Sequence, residues 1–178
     1  MKEHSILKKG LFGLICAIIL IVIDQVTKQA AVAHLKGQAP FVLWDGVFEL
    51  RYLENHGAAF GMLQNQRGFF IVSTVIVLFI IAYFYLKRIP NERRFLWLNV
   101  ISILFFAGAI GNFIDRVLYE YVIDFFYFIL IDFPIFNVAD IYVTVSAFLL
   151  IFLGFFYYKE EDFDLILPSK KKKSSATE

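Results

Sequence analysis

The chain has 178 residues, 60% of them hydrophobic and 22 of them phenylalanine, with a mean hydropathy of +0.69 and a formal net charge of +1. A soluble domain runs nearer half apolar, so this composition excludes a soluble globular protein and points to an integral membrane protein. The net charge says nothing by itself about nucleic acid, because the basic residues are distributed by topology rather than as a patch, and the single cysteine excludes a disulfide framework or a paired-cysteine metal site.

Cys16 falls within the first apolar run and reads as a small buried hydrophobe. His4, His34 and His56 show no close ligand spacing, so neither a zinc site nor any other cofactor is expected, although carboxylates could hold a hard cation.

In chain order, the first apolar stretch covers residues 10–23 and is followed by Asp24, Gln25 and Lys28. A helix continued to about Val32 would reach the roughly 20 residues that a bilayer requires. Lys8-Lys9, the apolar run and Ala31-Val32-Ala33 also have the outline of a cleavable signal peptide. The charged stretch after Ile23 is long for a cleavage region, so a retained helix is expected. Asp24 and Lys28 are four apart and share a helix face, either as an interfacial ion pair or as a pair directed into a cavity.

An outer segment at about residues 34–67 has strand character. Phe41-Val42-Leu43-Trp44 precedes Asp45-Gly46, a hairpin-turn signal. The next stretch alternates, with Phe48, Leu50 and Tyr52 on one face and Glu49 and Arg51 on the other. Such a sheet could hold an acyl chain or an extended peptide at the membrane surface, or simply cap its own helices. Asn55-His56-Gly57-Ala58-Ala59-Phe60-Gly61 joins a hydrogen-bonding side chain to small residues that permit close approach. A plain turn into the next span would look the same.

Three further apolar stretches follow, at residues 68–86, 95–114 and 141–158, which makes four transmembrane helices. With the N-terminus cytoplasmic, twelve lysines and arginines fall inside and five outside, namely Lys28, Lys36, Arg51, Arg67 and Arg116. Both termini are then inside, and the polar motifs share the outer face. The expected organisation is a four-helix domain over residues 1–159 and a charged cytoplasmic tail over 160–178. Lys170 to Lys173 lie where they would meet anionic lipid or simply be solvated.

The costly residues are those at the edge of hydrocarbon, where a carboxylate at mid-bilayer costs on the order of 3 kcal/mol. Gly111-Asn112-Phe113-Ile114-Asp115-Arg116 closes the third span, with Asn112 and Arg116 on one side and Asp115 placed to neutralise Arg116 or to anchor it at the interface. Asp124 lies in Val122-Ile123-Asp124-Phe125, and Asp140 in Phe136-Asn137-Val138-Ala139-Asp140 at the head of the fourth span. Brought within a few ångströms, two carboxylates cannot both ionise cheaply, so they share a proton near neutrality and divide acid and base work. Asp140, at a helix N-terminus, is the candidate for the ionised partner. From spacing alone, interfacial structural roles fit these aspartates as well as catalysis does. A small proton or cation transporter and a lipid-binding assembly protein are the competing functions.

These five motifs, in this order, resemble lipoprotein signal peptidase (signal peptidase II). The matching residues are Asp24-Gln25-Val26-Thr27-Lys28, Asn55 to Gly61, Gly111 to Arg116, Val122 to Phe125, and Phe136 to Asp140. The resemblance implies four transmembrane helices with a small extracytoplasmic antiparallel β-cradle. It implies a bacterial inner-membrane aspartic endopeptidase that acts without metal, as a monomer. Its substrates would be diacylglyceryl-modified prolipoproteins, cut on the amino side of the lipid-modified cysteine, with globomycin as inhibitor and membrane lipids as surroundings. The catalytic dyad carries over to Asp124 and Asp140. The supporting residues carry over to Asp24, Lys28, Asn55, Asn112, Arg116 and Asn137. Ile141-Tyr142 departs from the small or hydroxyl residues common in the family after the second aspartate, which narrows the expected pocket.

Overall fold

Four helices long and apolar enough to cross a membrane are closed at one end by a three-stranded antiparallel sheet. The computed structural model describes residues 2–57 and 66–167. Its elements are α1 (Lys2–Leu35), β1 (Phe41–Trp44), β2 (Phe48–Asn55), α2 (Arg67–Tyr83), α3 (Leu96–Leu118), β3 (Val122–Tyr127), α4 (Val138–Phe156) and α5 (Glu160–Ile166). Ala58, Ala59, Phe60 and Gly61 of the second motif and the lysines 170–173 lie outside the described residues.

The first helix is longer than its apolar run. It passes unbroken through Ala31-Val32-Ala33 and ends where Gly37 takes φ +73°, a left-handed conformation that stops a helix without strain. The second helix has no buried residue, and side chains such as Phe79 (73% exposed) can be accommodated only by lipid. It ends in a π-helical turn, Phe84–Arg88, that carries Tyr85 onto α1. Here Lys9 Nζ donates to the Ile89 carbonyl at 2.7 Å, and the Tyr85 hydroxyl donates to the Lys9 carbonyl at 3.0 Å. The approach depends on Gly13, where a Cβ would stand 2.4 Å from the Tyr85 hydroxyl.

At the end of the bundle away from the sheet, Ile89, Phe95, Leu98, Leu153, Tyr158 and Ile166 pack into one core. Residues 160–166, which open the charged tail in the sequence, form α5 here. Asp162 pins it by accepting from Arg94 Nε at 2.7 Å and Nη2 at 2.5 Å.

The hairpin forms where the turn signal stood. Gly46 takes φ +67°, Val47 N–H closes on the Trp44 carbonyl, and the pairing shifts between Val42 and Trp44. Leu50 and Tyr52 pack with Ala31 and Leu35 of α1 and with Ile123 and Phe125, so the apolar face of the sheet covers the chain's own helix. The third strand was not foreseen. Val122–Tyr127 pairs with β2, setting Leu53 opposite Asp124 and Asn55 opposite Val122. Asp124 is therefore carried by a strand beyond α3, while Asp140 sits in the first turn of α4.

Candidate active site

Lys28 is the centre from which the site is built. Its ammonium lies 2.9 Å from Asp24 Oδ2, 2.9 Å from Asp115 Oδ2 and 2.9 Å from Asn112 Oδ1, one acceptor for each proton. Lys28, Asp24 and Asp115 are all fully buried. Each carboxylate then uses its remaining capacity on a neighbouring element. Asp24 Oδ1 accepts the Ala139 N–H at 2.9 Å, fixing the start of α4 to α1. Asp115 Oδ2 accepts the Ile123 N–H at 3.1 Å, fixing β3 to α3. Gln25 Nε2 reaches both carboxylates and the Gly111 carbonyl. Gly111 makes room for this, since a Cβ there would fall 2.5 Å from Asp24 Oδ2.

Two asparagines relay this cluster to the candidate dyad. Asn112 accepts from Lys28 and donates through Nδ2 to Asp140 Oδ1 at 2.8 Å. Asn137 donates through Nδ2 to Asp124 Oδ1 at 2.6 Å, and to Asn112 Oδ1 at 3.1 Å. It is also the N-cap of α4: its Oδ1 accepts the Asp140 N–H, while its own N–H reaches Asp140 Oδ2 at 3.2 Å. One residue thus bonds both aspartates. Asn55 Nδ2 holds the other oxygen of Asp124 at 2.8 Å, and its Oδ1 accepts the Gly57 N–H.

Burial, and next the charge of Asp140, push the Asp124 carboxyl up to about 7, against the opposing hydrogen bonds of Asn55 and Asn137. The two aspartates face a cavity of about 440 Å³, within the range of small-ligand sites. Asn55, Asn112 and Arg116 line it with them, and Ile141, Val143 and Thr144 of α4 and Phe133 to Phe136 complete the wall. Arg116 Nη2 donates to the Gly57 carbonyl at 3.2 Å, and its guanidinium lies 4.6 Å from the Phe70 ring centre.

Of the eight residues singled out from sequence, Asp124, Asp140, Asn55, Asn112 and Arg116 line the cavity, while Asn137, Asp24 and Lys28 stand behind it. Asp115 does not neutralise Arg116. Successive helical residues point about 100° apart, and Asp115 turns inward to Lys28. Its role, and that of Gln25, were missed; the signal was an acidic residue at the end of the third span and a lysine near the outer end of the first. After Asp140, Ile141 faces the cavity but the Tyr142 hydroxyl points to the Leu20 carbonyl on α1, at 3.5 Å, so only one of the two departures lines the pocket. Among the described residues, no three His, Cys, Asp or Glu side chains gather as a metal site would require.

Helices that satisfy their own backbone in lipid, enclosing a polar, carboxylate-bearing cavity at one end, define a polytopic membrane enzyme. Two solved structures of bacterial membrane enzymes, both obtained by the in meso method, have this fold. One is 34% identical with a TM-score of 0.72, covering 83% of this chain and 94% of that one. The other is 34% identical with a TM-score of 0.71, covering 80% and 87%. The family model for signal peptidase (SPase) II matches residues 16–156. The lipoprotein signal peptidase of Streptococcus thermophilus is 47% identical over 143 residues, 80% of this chain and 90% of that protein. That of Streptococcus pyogenes serotype M5 is 43% identical over 159 residues, 88% and 99% of the two chains. The chain belongs to the signal peptidase II family and is a membrane-embedded peptidase.

Proposed function

We propose that the protein is an aspartic endopeptidase that removes the signal peptide from diacylglyceryl-modified prolipoproteins, cutting on the amino side of the lipid-modified cysteine. The observation that carries this reading is the joint grip of Asn137 on Asp124 and Asp140 at the wall of one cavity. The pair shares one proton. Burial and the charge of Asp140 raise the Asp124 carboxyl, and Asp140 sits in the first turn of α4, where the helix N-terminus favours its charged form, so Asp124 serves as the acid and Asp140 as the base.

Asp140 takes a proton from a water whose oxygen attacks the scissile carbonyl carbon, while Asp124 protonates the carbonyl oxygen. The tetrahedral diol then collapses. Asp124 recovers the hydroxyl proton, Asp140 delivers its proton to the departing amine, and the C–N bond breaks. Both carboxyls return to their starting states without a metal. Asn112, Asn137 and Asn55 hold the dyad in register, backed by Lys28 with Asp24 and Asp115. Arg116 is placed to meet the polar part of the substrate.

Charge asymmetry supports cytoplasmic termini and a site near the outer face, where a transmembrane leader presents its cleavage point. The peptidase unit is residues 1–159, acting as a monomer among lipids, with the charged segment from 160 on the cytoplasmic side, where its first residues pack back on the unit as α5. Globomycin would occupy the same cavity. The test is cleavage of a purified lipid-modified prolipoprotein, followed by mass spectrometry in the presence of a chelator. The expected product begins at the lipid-bearing cysteine; a cut elsewhere, or none on the lipid-modified substrate, would overturn the assignment.

A further inference from the structure

Asp124 shares its face of the sheet with a charged strip that the reaction as described leaves unused. Residues directly opposed in a sheet lie on one face, and alternate residues along a strand return to it. Asn55 reaches Asp124, and Leu53 is paired with it. The β2–β3 register shifts between Leu50 and Leu53, but Leu50 and Tyr52 pack toward α1 as Ile123 and Phe125 do. Arg51, like Asp124, therefore points to the other face, with Glu49, which is paired with Tyr127 of β3. The return of Tyr127 to this face follows from a bulge. Phe125 and Phe126 both donate to the Phe136 carbonyl, and both pack toward α1.

Arg51 is held ready on this strip. Its guanidinium lies 4.8 Å from the Tyr127 ring centre, and its Nη2 is 2.7 Å from Glu49 Oε1. The Tyr127 hydroxyl is itself fixed on Asp132 at 2.6 Å. Glu49 is buried, whereas the Arg51 side chain is 43% exposed; Arg51 Nε is itself buried without a hydrogen-bond partner among the described residues, so a ligand would meet the guanidinium through its outer Nη atoms. A guanidinium stacked on a ring and tied at one nitrogen has lost most of its rotamer freedom, yet keeps donors for a carboxylate or a peptide carbonyl.

The two ends of the cavity differ in chemistry. One wall runs down α4 through Ile141, Val143 and Val145, apolar and within the span. That wall suits the apolar leader or the lipid chains. On the sheet side the lining is Asn55, Gly57, Val122 and Asp124, and Leu53 and then Arg51 lie beyond it along β2. We propose that this strip is a second subsite, which binds the polar mature chain just after the lipid-modified cysteine, with Arg51 favouring acidic residues there. The proposal rests on Asp124 and Asp140 as the reacting pair. An extended peptide advances about 3.3 Å per residue, so Arg51, four residues from Asn55, lies about 13 Å along and meets roughly the third to fifth residue after the cut.

The test uses the full-length protein and lipid-modified prolipoprotein peptides with acidic, neutral or basic residues at the third to fifth positions after the cysteine. The unaltered protein is expected to show a KM roughly threefold to tenfold lower for the acidic series than for the basic one. Arg51→Gln should erase that difference while kcat stays within about twofold, and Arg51→Glu should invert it. Lys36→Gln, which removes an ion pair to Glu54, should leave the preference intact. Equal KM for all three series in the unaltered protein would overturn the proposal whether or not the variants fold. So would an Arg51→Gln protein that keeps the preference. Failure of the dyad reading is distinguishable, because it appears as cleavage persisting in Asp124→Asn on every substrate.

Discussion

Replacing Lys28 by methionine tests the organisation of the site from its centre. The ammonium is fully buried and makes three contacts of 2.9 Å, with Asp24, Asp115 and Asn112. Methionine keeps much of the volume and removes the charge, leaving two carboxylates facing each other without their cation. Breaking a buried ion pair from one side costs about 3–5 kcal/mol. For a chain of this length each kcal/mol shifts Tm by about 2–4 °C, so Lys28→Met should melt roughly 6–20 °C lower in detergent. Below that temperature its cleavage rate should also fall, about tenfold to a hundredfold, because Asn112 loses one of the partners that aim its amide at Asp140. Adding Asp115→Asn removes one of the stranded carboxylates, so the double variant should recover roughly 1–3 kcal/mol relative to additivity. Thermal melts with cleavage assays at a temperature where every variant is folded read both effects. A Lys28→Met protein that melts and cleaves like the unaltered one would refute the view that this ammonium organises the site.

Two further perturbations follow from the same geometry. With the Asp124 carboxyl raised to about 7, the folded chain holds a proton between about pH 4 and pH 7 that the unfolded chain has released. This group's contribution to stability therefore falls as pH rises across that window, and levels off above it. Melts from pH 5 to 8 should show the decline in the unaltered protein and lose that component in Asp124→Asn, while kcat should fall as pH rises through about 7; a decline unchanged in the variant would contradict the shift. Gly111→Ala should destabilise by about 1–3 kcal/mol, because its Cβ would fall 2.5 Å from Asp24 Oδ2. Gly68→Ala on α2, where a Cβ meets nothing within 4 Å, should be neutral or slightly stabilising, and equal melting of the two variants would show that Gly111 is not a packing constraint.

Much of this arrangement was legible in the sequence because its signals are local. Span lengths follow from uncharged runs, the hairpin from Asp45-Gly46, and the place of Asp140 at the head of the fourth span from the apolar run that follows it. What was hidden depends on distant partners. Val122–Tyr127 has no polar alternation, because Ile123 and Phe125 are buried against α1 while Asp124 is buried in the site; its strand character comes from pairing with β2. Asp115 was assigned to its sequence neighbour Arg116, although its partner is Lys28, 87 positions earlier and on another helix. The helix α5 was masked by its charges, since Asp162 is paired with Arg94 and only Ile166 enters the core. The five motifs meet in one hydrogen-bonded network, because each contributes a side chain whose bond is completed by another.

The central claim is that Asp124 and Asp140 together hydrolyse the peptide bond. Its most direct measurement is the single-turnover cleavage rate of a diacylglyceryl-modified prolipoprotein by Asp124→Asn, Asp140→Asn and the double variant, each confirmed folded by its melt. Each single variant should lose roughly 10²–10⁴-fold, and the double variant little more, since the two carboxyls act as one unit. Cleavage at the unaltered rate by either folded single variant would contradict the account.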